Sequence, residues 1–234
     1  TFGYSFPDKY FVDGSFRRDG SSLFAENHRW GNFWSAGAMW DITKERFMKD
    51  VKWMNKLQLK ASYGSVGNSS GLSPYMSMGL IGTGPLYNGM SDTAIANPAN
   101  PDLTWEVVKS TNIAINTRMF NRVNLDVELY NRDTEDMLMD IPYSYTTGFS
   151  GGWGNVASMR NKGVDVTANF EILQDFHDID WNISANLNYN ENEITSLFNG
   201  MDEYVLANTG LKLQVGKPYG EYFYTRWAGV DPRD

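Results

Sequence analysis

Two histidines, His28 and His177, are the only imidazoles in the chain. They lie far apart and lack the spaced partner ligands of a zinc site, so both read as solvated connector residues. Carboxylates gather in "DTED" at 133–136 and "HDID" at 177–180. Acidic turns commonly look like this, and calcium needs oxygens that the fold bends together. No cofactor is expected, with a loop-bound calcium ion left open. "GTGP" at 82–85 has neither the lysine nor the following helix of a phosphate loop. No serine, histidine and acid constellation is specified, and zero cysteines exclude a thiolate nucleophile or ligand. The chain is therefore not expected to be an enzyme. The remaining chemistry is aromatic. Tyr75, Tyr87, Tyr143, Tyr145, Phe149 and Trp153 fall in what read as long connectors, where rings could stack on sugar faces or on peptide side chains. The alternative is that each packs its connector against a neighbour.

The elements that must carry these rings are strands. In "RVNLDVELYN", Val123, Leu125, Val127 and Leu129 alternate with Asn124, Asp126, Glu128 and Tyr130. Strict alternation marks a strand with two unlike faces. The same pattern places Ile183 and Leu187 with Trp181, Ala185 and Tyr189, opposite five Asn and Ser residues. It places Val164 and Val166 with Ala168, Phe170 and Ile172, and Leu57 and Leu59 with Ala61 and Tyr63. Less regular strands are expected in "WSAGAMWDI", "KYFVDGSFRR" and "STNIAINTRM". That makes seven, with an eighth expected in "KPYGEYFYTRWAG". "TKERFMKDVKWMN" carries Phe47, Val51 and Met54 at near-helical spacing and predicts a short helical turn within a connector.

The connectors alternate in length. "FN" after Met119 and "LQDFHDID" are tight, whereas "DGSSLFAENHRWG", 67–104, 132–162 and the chain from Thr195 onwards are long. Short turns at one end and long loops at the other suit a membrane barrel, whose strands of about 9 to 11 residues escape a hydropathy search for helices. A soluble β-sandwich also explains alternation. The balance tips towards a barrel because the polar faces are rich in Asn, Ser and Thr. Trp34, Trp40, Tyr63, Trp181 and Tyr189 also stand near strand ends, where interfacial girdles sit. The net charge of −8 and pI near 4.8 argue against nucleic acid as a partner. The abrupt ends suggest a piece of something longer.

"GSFRRDGSSLFAENHRWGNFWSAGAMWDI", "LQLKASYGSVGN", "NPDLTWEVVKSTNIAI", "MRNKGVDVTANFEI" and "VGKPYGEYFYTRWAGVDP" resemble, in order, the carboxy-terminal barrel part of the SusC/RagA family of TonB-linked outer-membrane transporters. The resemblance implies an all-β fold, with 1–234 one section of a plugged antiparallel barrel of roughly 22 strands. The plug and the TonB-contacting segment would lie outside this sequence. It also implies energised import of oligosaccharides or peptides, the TonB complex and a SusD-like surface lipoprotein as partners, and a Gram-negative outer membrane as location. Val123, Leu125, Val127, Leu129, Ile183, Leu187, Val164, Val166, Leu57 and Leu59 would then face lipid, and the alternate residues the lumen. Gly20 and Gly163 would serve turns; Arg29, Trp30, Arg160 and Lys162 would mark strand rims. A passive porin or adhesin, or a soluble carbohydrate-binding module, are the competing readings.

Overall fold

The computed structural model describes residues 1–87, 89–176, 179–206, 209–227 and 229–230, with the side chains of 85–87, 91–92 and 174–176 outside that description. Its strands are β1 (Phe2–Phe6), β2 (Tyr10–Gly20), β3 (Trp30–Asp41), β4 (Met54–Asn68), β5 (Leu80–Tyr87), β6 (Met90–Asn97), β7 (Glu106–Met119), β8 (Val123–Pro142), β9 (Gly151–Phe176), β10 (Ile179–Ser196), β11 (Glu203–Leu206), β12 (Leu211–Gln214) and β13 (Glu221–Tyr222). Eight form one sheet in the order β1-β2-β3-β4-β7-β8-β9-β10, while β5-β6 and β11-β12-β13 make two small sheets. Each pairing in the large sheet is antiparallel.

Register aligns the alternation from strand to strand. One transverse row runs Tyr10, Trp40, Leu59, Ile115, Val127, Val166, Leu187. Its neighbour on the same face runs Tyr4, Val12, Ala38, Ala61, Ile113, Leu129, Val164, Tyr189. Between these two rows, on the opposite face, lie Lys60, Ala114, Glu128, Asp165 and Asn188. A slip of one residue in any pairing would put aliphatic side chains into the polar face, so the pattern excludes odd slips of register.

All seven expected strands are present, and two expectations about their surroundings are corrected. The eighth strand of the sheet is β1, at the beginning of the chain. The stretch expected to supply it contributes only the two-residue β13, in a different sheet. Residues 132–162 are mostly strand, not loop, because β8 and β9 continue pairing and leave only 143–150 as a tip. Cross-strand ion pairs carry the ladder onward: Lys109–Glu135 and Asp133–Arg160 at 2.6 Å each, and Lys162–Glu191 at 3.4 Å. A bulge at Asp136, whose φ is 55°, then breaks the alternation that would have marked the strand. The stretch 67–104 holds the β5-β6 hairpin, and the chain after Thr195 holds the β11–β13 sheet. The helical turn expected between β3 and β4 forms as two 3-10 turns, Ile42–Lys44 and Arg46–Met48.

The buried hydrophobic side chains gather at the end of the long connectors. There the Phe24 and Phe33 rings pack against Trp105, with centroids 5.3 and 5.5 Å apart. A second cluster joins Ala157, Ile194, Leu197 and Leu213. Over the middle of the sheet the apolar face is uncovered, with Leu187 65% and Leu129 50% exposed. A sandwich would have laid a second sheet there.

Candidate functional site

The polar face is a hydrogen-bonded surface. Asn116 donates to Asp126 (2.5 Å), Ser184 to Asn169 (2.6 Å), Gln58 to Asp41 (3.2 Å), Tyr130 to Asn190 (3.0 Å), and Asn188 to Asp165. A concavity of about 390 Å³ opens in it, where Asp13, Lys60, Ser62, Asn112 and Glu128 surround small side chains on β3, β4 and β7. Gly37 makes room, since a Cβ there would stand 2.6 Å from the Asp13 carboxylate. Asp41 Oδ1, Asn112 Oδ1, Asn116 Oδ1 and Arg118 Nε are buried with no hydrogen-bond partner among the described residues. Such atoms mark a surface that expects water or another polar group against it.

At the long-connector end a polar groove of about 140 Å³ is lined by Met76, Pro98, Asp140, Gly152 and Trp153, among others. Its walls are clasped together. Asn155 accepts from the Thr104 N–H (2.9 Å) and donates to the carbonyls of Thr104 (2.9 Å) and Asp136 (2.8 Å), while Asn100 donates to the Trp153 carbonyl (2.7 Å). These bonds tie "NPDLTW" to the β8-β9 hairpin. The sequence reading passed over Asn100 and Asn155; the only signal was the turn-forming Asn-Pro-Asp.

The six candidate rings do not form one cluster. Trp153 belongs to β9 and lines the groove, and the Tyr143 ring lies against Gly152. Tyr145, 88% exposed in a 3-10 turn, and Phe149 stand at the hairpin tip. Tyr75 is exposed between β4 and β5 with φ of 69°. Tyr87 falls within β5, and its side chain lies outside the described residues. Gly20 and Gly163 are strand glycines, not turn glycines. A Cβ on Gly20 would meet the Trp30 ring at 2.8 Å, and one on Gly163 would collide with the Tyr189 carbonyl oxygen and the Tyr130 hydroxyl.

Two of the three carboxylates of "DTED" are spent on cations: Asp133 on Arg160 and Glu135 on Lys109. His28 meets Asp102 at 3.9 Å across two connectors, and His177 lies outside the described residues. Among the described residues no three His, Asp or Glu side chains converge on a metal position. At the short-turn end, Glu45 accepts from the Tyr10 hydroxyl (2.7 Å), the Lys9 ammonium (3.2 Å) and the Trp40 indole (3.3 Å). The Tyr10 hydrogen bond, followed by that from Lys9, holds its carboxyl below the usual range.

An antiparallel meander that is apolar on one face, polar on the other and framed by aromatic strand ends is a section of a membrane β-barrel wall. The stretch from Trp181 to Tyr189, nine residues with an aromatic at each end, has the length of one crossing. A family model described as TonB dependent receptor-like, beta-barrel, matches residues 2–229, and the chain belongs to that family. One TonB-dependent receptor of Formosa agariphila is 34% identical over 229 residues, covering 97% of this chain and 22% of the relative. The TonB-dependent receptor SusC of Bacteroides thetaiotaomicron is 29% identical over 223 residues, covering 91% and 22%. The RagAB peptide importer in its closed-closed state superposes with a TM-score of 0.90 at 37% identity, covering 99% of this chain and 25% of that one. Its open-open state gives 0.89, covering 98% and 25%. The chain thus spans a quarter or less of the proteins it matches, and its place is the outer membrane.

Proposed function

We propose that this chain forms part of the barrel wall of an energised importer, which takes up oligosaccharides or peptides together with a SusD-like surface lipoprotein and draws its energy through TonB. The observation that carries the reading is the two-faced sheet: an unbroken apolar band backed by a hydrogen-bonded polar surface, in a chain 37% identical to part of a peptide importer. In this reading Val123, Leu125, Val127, Leu129, Ile183, Leu187, Val164, Val166, Leu57 and Leu59 meet lipid. The polar face lines the lumen. The short-turn end is periplasmic, and the groove beside Trp153 and Tyr143 opens at the extracellular mouth, where cargo arrives. Ring faces and amides side by side suit both sugars and peptides. The wall's own task is passive: it holds the lumen open, presents hydrogen-bonding groups to whatever fills it, and gives the mouth a rigid base.

The test is uptake of labelled oligosaccharide and labelled peptide by cells carrying the full-length gene. Uptake of one class that stops when TonB is deleted supports the proposal. Flux indifferent to TonB would make the protein a porin, and cell attachment with no flux would make it an adhesin.

A further inference from the structure

The connector between β3 and β4 reverses the charge of the chain. Residues 42–53 hold Lys44, Arg46, Lys49 and Lys52 against Glu45 and Asp50, in a protein of net charge −8. Glu45 is already engaged by Lys9, and Lys44 donates to the Asp8 carbonyl at 2.8 Å. Arg46, Lys49 and Lys52 are exposed, and their side chains make no hydrogen bond or ion pair with any described residue.

Exposed rings stand among these cations. Phe47 is 66% exposed, and Trp53, 47% exposed, stacks on Phe120 at 5.6 Å with 25° between the planes. The connector is also held to one side of the sheet. Tyr10 and Trp40 belong to the apolar face, and their hydrogen bonds to Glu45 tether the start of the connector there and not beneath the polar face. Aromatic rings beside unpaired cations, where an apolar band ends, match an interface of acyl chains and phosphates. Lysine stems can lie along the hydrocarbon boundary while their ammonium groups reach the headgroups.

We propose that the β3-β4 connector, through Arg46, Lys49 and Lys52 flanked by Phe47 and Trp53, binds anionic phospholipid headgroups of the membrane leaflet at the short-turn end. The proposal rests on the membrane reading of the apolar face. A soluble acidic partner fits it less well, because the rings continue the band that ends at Tyr10 and Trp40.

The experiment is native mass spectrometry of the full-length transporter in detergent, titrated with phosphatidylglycerol or phosphatidylcholine, for the wild type and the K49Q/K52Q variant. Neither lysine has a partner to lose, and the heat-modifiable gel shift of a folded barrel reports integrity separately. The expected result is preferential retention of phosphatidylglycerol, weakened about fivefold for each cation removed and weakened further by salt. Phosphatidylcholine retention should stay unchanged. Equal phosphatidylglycerol retention by wild type and variant would overturn the proposal with the barrel intact. A wild-type chain that shows no barrel shift and does not insert into vesicles would overturn the membrane reading itself, and this proposal with it.

Discussion

Asn186 and Leu187 are neighbours in sequence and point to opposite faces of β10. With Leu187 against lipid, Leu187→Arg in the full-length chain should cost about 2 to 4 kcal/mol if the position lies near the midplane. Asn186→Arg, on the polar face, should cost far less. Reversible unfolding from lipid vesicles measures both, and equal losses would count against the assignment of faces. Gly163 offers a second check at this scale. Its missing side chain lets the Tyr189 carbonyl and the Tyr130 hydroxyl approach, so Gly163→Ala forces backbone apart and should cost about 1 to 3 kcal/mol. A flexible neighbour could have yielded cheaply, but a carbonyl in a sheet ladder cannot.

Connectors are held by single polar residues, which makes them testable as elements. Asn155→Ala removes two hydrogen bonds between "NPDLTW" and the β8-β9 hairpin and a third, to the Asp136 carbonyl, within the hairpin. Losing them should cost about 1 to 3 kcal/mol locally and speed amide hydrogen exchange around Thr104 while leaving the middle of β8 and β9 unchanged. Exchange rising equally throughout would mean that the clasp supports the whole sheet. Glu45 does the same work at the other end, with a pH signature. Its carboxyl titrates below the ordinary value of 4.5 because the charged form is hydrogen-bonded, so its stabilisation is fully present above that value and is lost as pH falls through the depressed one. The gap in unfolding midpoint between wild type and Glu45→Gln should therefore be full at neutral pH and close in acid. A gap independent of pH would rule the tether out.

For the molecule as a whole, the large sheet ends in two edge strands, β1 and β10, which do not pair with each other, and its apolar face is open. Unpaired edges beside an exposed apolar face invite association. Expressed by itself in buffer, this stretch of 234 residues should aggregate, and detergent or lipid should be needed to keep it dispersed. A monodisperse, folded species by light scattering and circular dichroism without detergent would favour the soluble carbohydrate-binding module. The wall superposes almost equally on the closed-closed and open-open states of RagAB, at 0.90 and 0.89.

Alternation alone determined the seven strands and their two faces, because a period of two is a local property of a pleated chain; the pairing that joins Leu59 to Leu187 came from the fold. The pattern went silent where "NRDTEDMLMDIP" and "GGWGNVASMRNK" exchange the aliphatic alternation for charges, glycines and a bulge. Those strands exist because their partners lie opposite across the sheet: Asp133 with Arg160, and Lys109 with Glu135. β1 was missed because five residues, all exposed, carry too little pattern of their own and are strand only through pairing with β2. The grouping of Trp153 with Tyr143 and the separation of Tyr75 and Tyr145 were likewise decided by the fold. Side chains from connectors distant in sequence meet only when the strands beneath them are in register, and no local spacing encodes that meeting.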